Sequence, residues 1–377
     1  MTIRSPPGRD AYVYGIDVVR FFSAVFVALF HLTWLDERVS TVGWYGWIGV
    51  QVFFVISGFV IARSANNTRP VKFVQSRFLR LYPAAWVCAG IGMIILIFTN
   101  RLTVGLLERF VMSLLLYPTG PFLTNAYWTL PIEITFYLLI FLVLCVGKFE
   151  RIERIAIYLA GGSVAYVAVY SFQCAGLIDL PHLEFAYGWK NLTLLRHGIY
   201  FAIGIFIWLW SENRLSRFGA AALSLAMGAA PFEITCRSAE NVALMPVRVD
   251  LWTVWPIPVA IWMACCAMIA AAAFWRMEIM RAPSGFLHAA RIVGLMTYPF
   301  YLLHEELGKV TRDVLQTWGL PIVPSVVCAI LVSAGAALLI AQVAEPAVRD
   351  AMRYGLFKLS TGRSAGEWLH GRSSGKS

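Results

Sequence analysis

Ten apolar runs, each close to the length that crosses lipid, fill most of this 377-residue chain. A hydrocarbon core takes about 20 apolar residues in helical form. By that rule the runs fall at 15–35, 44–62, 81–99, 126–147, 155–177, 197–211, 217–232, 252–275, 291–308 and 321–345. Backbone amides in lipid must be satisfied within their own segment, so each run is expected to be a helix. Composition agrees: 59% of residues are apolar and 14% charged, against about 25% charged in soluble domains. One soluble core stops growing at roughly 250–300 residues. The expected fold is therefore all-α: a polytopic membrane helical bundle of about ten transmembrane helices. A soluble enzyme, a disordered chain and a collagen-like fibre are excluded. No internal repeat is visible, and no connection is long enough for a soluble domain. Residues 1–345 read as one transmembrane domain and 346–377 as a basic, flexible cytoplasmic tail. The segment 102–117 carries Glu108 and Arg109 on an otherwise apolar stretch and reads as an interfacial or re-entrant helix.

The net charge of +10 raises nucleic acid as a partner, but the cations sit in short clusters between apolar runs, as juxtamembrane charges do. No nucleic-acid partner is expected. Threading ten spans from a cytoplasmic N-terminus puts 21 Lys and Arg in cytoplasmic segments and nine outside, with Arg20 inside a span. That bias predicts both termini in the cytoplasm and a multi-pass protein of the cell (inner or plasma) membrane. The opening MTIRSPPGRD is polar and no cleavage site follows the first run, so a cleavable signal is not expected. The seven cysteines form no CxxC pair. They read as small core residues, with no disulfide framework and no metal site.

Ionisable groups at membrane depth cost at least about 2.5–3.5 kcal/mol each and are candidates for function. The first run holds Asp17, Arg20 and His31. Asp17 and Arg20 are three apart and can pair. Arg20 and His31 are eleven apart, close to three helical turns, so they share a face about 16 Å apart along the axis. A fixed cation and a titratable base then lie on one stripe. Structural alternatives stand beside this: an Asp17–Arg20 boundary pair, and an interfacial His31. Glu133, in the fourth run, is expected near the depth of His31, and Pro131 before it is expected to kink the helix. His304, Glu305 and Glu306 end the ninth run; for the two glutamates the plain reading is a solvated helix end. The stretch after the second run reads as a loop carrying Arg63, Arg69, Lys72, Arg77 and Arg80. Arg77 and Arg80 share a face before Pro83 and suit a phosphorylated ligand, or form an ordinary positive-inside cluster. Ser57-Gly58 reads as close helix packing or a break, not a nucleophile.

Taken together, five stretches resemble the acyltransferase-3 family of membrane-bound O-acyltransferases. YGIDVVRFFSAVFVALFHL resembles its first-helix motif at Arg20 and His31. WIGVQVFFVISGFVI resembles the second, at Gly49, Val50, Phe53, Phe54, Ser57, Gly58 and Phe59. FVQSRFLRLYP matches at Arg77, Arg80 and Pro83. YWTLPIEITFYL matches at Trp128, Leu130, Glu133, Phe136 and Tyr137, and TYPFYLLHE at Tyr298, Tyr301, Leu303 and His304. The chain departs from the pattern where Ile134 stands in place of a second acidic residue, and where Glu305 and Glu306 follow His304. The single-glutamate motif is similar to the branch that acetylates exopolysaccharides.

The resemblance implies transfer of an acyl, here acetyl, group from cytoplasmic acyl-CoA to a hydroxyl of a carbohydrate or lipid-linked glycan at the outer side. It implies acyl-CoA as co-substrate, with no tightly bound cofactor, and membrane lipid as surroundings. Catalysis would fall to His31, Arg20 and Glu133, with His31 as base and Glu133 orienting it. Donor binding would fall to Arg77, Arg80 and Arg20. The acceptor or pocket set would be Asp17, Trp128, Tyr137, Tyr301 and His304. The competing class is a secondary transporter or flippase of a glycan, which also needs intramembrane charges; matching interrupted halves, common in that class, are not seen. The oligomeric state is not legible.

Overall fold

In the computed structural model, which describes residues 12–100, 102–179, 189–245 and 254–361, every apolar run is a helix and no strand occurs among the described residues. The helices are α1 (Tyr14–Thr33), α2 (Ser40–Gly43), α3 (Gly49–Ala65), α4 (Pro70–Asn100), α5 (Val104–Leu115), α6 (Thr129–Cys145), α7 (Ile152–Cys174) and α8 (Gly198–Ser211). They continue as α9 (Arg217–Val242), α10 (Pro256–Phe274), α11 (Arg276–Ile279), α12 (Ser284–Leu303), α13 (Glu306–Thr317), α14 (Ile322–Leu339) and α15 (Glu345–Thr361). Ten of the described segments are long and apolar enough to cross a membrane, and each coincides with one of the ten runs. Below, "proximal" means the side on which α1 begins and "distal" the side on which it ends. The opening MTIRSPPGRD, the cations Arg4, Arg9, Arg101, Arg248, Arg363, Arg372 and Lys376, and the tail from 362 lie outside the described residues.

The two shortest runs, 197–211 and 217–232, are explained by burial. Helix α8 is apolar on all sides because it is the central helix: of its residues only Trp210 stands exposed. It crosses α3 so closely that a Cβ on Gly58 would lie 2.1 Å from the Phe201 carbonyl oxygen, and one on Gly204 would lie 2.0 Å from that of Val55. Two glycines thus let the backbones touch, and Ser57-Gly58 is a packing element. Helix α9 runs ten residues beyond the expected end at 232. Its last turns are polar in sequence, yet Glu233, Ser238 and Asn241 are buried against the bundle.

Three expectations change. The basic stretch after the second run is not a loop: Arg77 and Arg80 sit within α4, a 31-residue helix about 46 Å long at 1.5 Å per residue. Pro131 does not kink α6, because it lies in the first turn, where a missing N–H costs nothing. The boundary at 345 is not a chain break either. A single π turn, Ile340–Ala344, joins α14 to α15, and α15 stays helical to Thr361, packed on α4. The segment 102–117 forms a separate twelve-residue helix, α5, with Val104, Leu107, Val111 and Leu115 exposed. Cys145 and Cys174 are exposed, not core residues.

Candidate active site

Among the cavities between the described helices, two share the residue Val50 and differ in size and in charge. The proximal cavity measures about 490 Å³. The starts of α1, α4 and α6, much of α3, α12 and α15 converge on it. Arg20, Arg77, Arg80, Arg291, Arg349 and Arg353 line it, against the carboxylates of Asp17 and Glu133. A third carboxylate, Glu345, stands behind Arg80 at 3.8 Å and Arg349 at 2.8 Å. The surplus of guanidinium groups makes this an anion-attracting cleft. The Nε atoms of Arg77 and Arg349 are buried without a hydrogen-bond partner among the described residues. Pro83 and Pro299 lie inside α4 and α12. Each deprives the carbonyl four residues back, at Leu79 and Leu295, of its intrahelical donor, and both leucines line the cavity.

Asp17 anchors the mouth. It accepts a 2.6 Å hydrogen bond from Tyr12 and lies 3.5 Å from Arg20 and 3.8 Å from Arg291. Arg291 also donates to the Tyr12 hydroxyl. A Cβ on Gly294 would fall 2.2 Å from the Asp17 carboxyl carbon, so only glycine lets α12 approach this pair. Deeper in, Glu133 accepts from Ser57 at 2.9 Å and from Tyr137 at 2.6 Å.

The distal cavity is smaller, about 130 Å³, and is lined by His31, Trp34, Trp47, Gln51, Trp128 and His197 among others. Val50 lines both cavities. Beside it, the Phe53 ring meets Tyr301 edge-on at 5.3 Å and the Tyr301 hydroxyl lies 3.2 Å from that of Thr129. These side chains form a neck between the two spaces.

The neck separates residues that the sequence reading joined. Arg20 and Glu133 face the proximal cavity and His31 the distal one, so Glu133 does not orient the imidazole. That place is taken by Glu305. Its carboxylate lies 3.9 Å from His31 Nδ1, accepts from the backbone N–H and side-chain amide of Asn125 at 3.0 and 2.9 Å, and pairs with Lys309 at 2.8 Å. Glu305 is 1% exposed, so it is no solvated helix end. Burial pushes its carboxyl up, but the charges of His31 and Lys309 more than reverse this and hold it at about 2. Nδ1 is thus the ring nitrogen of His31 on the side of the carboxylate, and the residue lines the distal cavity. His304 lines neither cavity; it is buried behind His31, ring centroids 5.2 Å apart, with its Nδ1 2.7 Å from the Tyr301 carbonyl. Trp128 reaches the distal cavity, Tyr137 serves Glu133, and Tyr301 forms the neck.

One charged group escaped the sequence reading altogether. Arg196, 2% exposed, donates to Glu233 at 2.7 Å and to Glu240 at 2.9 Å, and Tyr200 donates to the second oxygen of Glu233 at 2.5 Å. Arg237 pairs with Glu240 at 2.7 Å. The only hint in the sequence was the pair of glutamates in FEITCRSAEN just past the expected end of the seventh run.

A family model for an acyltransferase domain matches residues 13–342. Among curated proteins, the one named membrane-bound transacylase BcsY, from Komagataeibacter xylinus, is 27% identical over 64% of this chain and 67% of its own length. The exopolysaccharide production protein ExoZ of Rhizobium meliloti (strain 1021) is 33% identical over 24% of this chain and 32% of its own. A protein of Acidianus two-tailed virus named as an acetyltransferase, ORF330, is 25% identical over 48% and 56%. The matched part thus spans from about a third to two thirds of these relatives. No solved structure matches the chain.

Proposed function

The chain belongs to the acyltransferase-3 family and is a multi-pass membrane acyltransferase, and from that premise we propose that it moves an acyl group, acetyl in the first instance, from acyl-CoA to a hydroxyl of an exopolysaccharide or lipid-linked glycan. The observation that carries this reading is the pair of unlike cavities meeting at Val50. One is broad and cationic; the other is small, aromatic and closed by an imidazole.

The anionic phosphates of CoA suit the proximal arginines, Arg77 and Arg80 first, which offer planar, paired donors. Arg20, deeper on α1, steers the pantetheine arm towards the neck. The thioester then meets the acceptor where His31 faces the distal space. His31 Nε2 takes the proton from the acceptor hydroxyl as its oxygen attacks the thioester carbonyl carbon. The carbon–oxygen bond forms, the carbon–sulfur bond breaks, and the imidazolium returns the proton to the departing CoA thiolate. Glu305 supports the imidazolium by its charge. Glu133, held by Ser57 and Tyr137, adds a negative group on the donor side of the neck, beside Arg20. The charge bias of the sequence favours a cytoplasmic proximal side of the cell membrane.

The test uses the purified full chain in detergent, labelled acetyl-CoA and an exopolysaccharide acceptor. The wild type transfers label. His31→Ala loses roughly 10²–10⁴-fold in turnover while still binding acetyl-CoA. Normal turnover by His31→Ala would end the assignment.

A further inference from the structure

Five buried polar atoms around the distal cavity have no hydrogen-bond partner among the described residues: Trp47 Nε1, Gln51 Oε1, Asn191 Oδ1, His197 Nδ1 and Asn241 Nδ2. All five side chains belong to residues at least nine-tenths buried, with exposures from 4% at Gln51 and His197 to 8% at Asn191. A buried polar group left unpaired costs about 1–3 kcal/mol, and native proteins carry few of them. Five around one small space form a built set that lacks its complement.

The complement can be described. The orphans include both N–H donors and carbonyl acceptors, and a hydroxyl serves either, whereas a carboxylate only accepts. Aromatic rings wall the same space. Trp34 stacks on Phe30 at 5.5 Å, and Trp128 stands 5.8 Å from His197. Flat apolar faces with polar groups at their edges suit the C–H face and hydroxyl rim of a pyranose. Charge is balanced here, unlike in the proximal cavity. Arg196 and Arg237 are matched by Glu233 and Glu240, and His31 and Lys309 share Glu305. With His31 neutral, as a base must be, no cation of those placed at this cavity among the described residues is left without a carboxylate. Size agrees: at roughly 10–15 Å³ for each water-sized group, a space of 130 Å³ matches one hexose, and Trp128 and Asn191 also line an adjoining space of about 180 Å³.

The geometry points to the distal cavity as the site for one neutral sugar residue of the acceptor, read by Gln51, Asn191, His197 and Asn241 and walled by Trp47 and Trp128. This deepens the acyltransferase reading and rests on it for the role of His31, at the cavity wall. The buried Arg196–Glu233–Glu240 cluster fixes the ends of α8 and α9, and with them His197 and Asn241.

Calorimetry on the purified full chain in detergent tests the site directly, with methyl β-glucopyranoside and methyl β-glucopyranosiduronate as probes and acetyl-CoA titrated separately. The neutral glycoside is expected to bind, and the uronide at least about tenfold more weakly. Gln51→Met, an isostere without polar atoms, and Asn241→Leu on the opposite wall are each expected to weaken the neutral glycoside roughly tenfold, as loss of a well-placed hydrogen bond does. Both are expected to bind acetyl-CoA as the wild type does. Equal or tighter binding of the uronide overturns the proposal. So does wild-type glycoside affinity in both variants, or no binding of either glycoside. Glycoside binding by a protein that fails to bind acetyl-CoA supports this site and overturns the donor reading instead.

Discussion

At the scale of single residues, the carboxylate beside His31 decides how the imidazole works. Glu305 is held at about 2 by His31 and Lys309 against the opposing effect of burial. A carboxylate so depressed contributes its stabilisation above its unfolded value, near 4.3, and loses it only as pH falls from there towards about 2. Glu305 therefore stays ionised above about pH 5. The rate of acetyl transfer is expected to show no limb between about pH 5 and 8 that disappears in Glu305→Gln; such a limb would show the carboxylate titrating there. Glu305→Gln keeps the hydrogen-bonding shape but removes the charge. It is expected to cost roughly 10- to 100-fold in kcat with little change in the KM for acetyl-CoA, because the donor cavity lies beyond the neck. Glu305→Asp, which restores charge, is expected to recover part of the loss. An equal loss in both variants would reduce Glu305 to a packing role. The sequence located His31 and the Asp17–Arg20 pair because spacing along one helix fixes their relation. Glu305 was misread because its burial depends on Asn125, 180 positions away, and no local pattern carries that.

At the scale of elements, α3 serves both cavities, supplying Val50 and Gln51 to one and Ser57 to the other, and its place is set by its crossing with α8. The close approach at Gly58 leaves 2.1 Å between a prospective Cβ and the Phe201 carbonyl, and backbone cannot yield as a side chain tip can. Gly58→Ala is expected to destabilise by about 1–3 kcal/mol through overpacking, read as a lower melting temperature in detergent. Gly90 in α4 has nothing within 4 Å of its prospective Cβ, so Gly90→Ala is expected to be neutral or to gain up to about 1 kcal/mol. Equal shifts for the two would remove the packing explanation. The ten spans were legible because lipid length and apolarity are local properties. The extension of α9 and the helical state of the basic stretch in α4 were not. In both, charged residues that look soluble in one dimension turn inward to partners distant in the chain: Glu233 to Arg196, in the turn before α8, and Arg80 to Glu345, at the start of α15. Hydropathy counts a paired charge and a solvated one alike.

At the scale of the whole molecule, a cationic cavity on one side of Val50 and an aromatic one on the other make orientation the point on which the proposed division of substrates turns. The excess of cations in the proximal segments of the sequence predicts a cytoplasmic proximal face, the side from which the proposed acyl-CoA donor would be supplied. The chain carries its own markers for this. Helix α6 ends proximally at Cys145 and α7 ends distally at Cys174, and both thiols are exposed. A membrane-impermeant maleimide added outside intact spheroplasts is expected to modify Cys174 and spare Cys145, as read by peptide mass spectrometry; permeabilisation then exposes both. The same orientation has an enzymatic consequence. In sealed vesicles, acetyl-CoA is expected to support transfer only when supplied on the Cys145 face, and a neutral glycan only on the Cys174 face. Labelling of Cys145 alone from outside would invert the protein in its membrane. Transfer with both substrates confined to one face would show that the acyl group never passes the neck at Val50, and the division of labour between the cavities would fall with it.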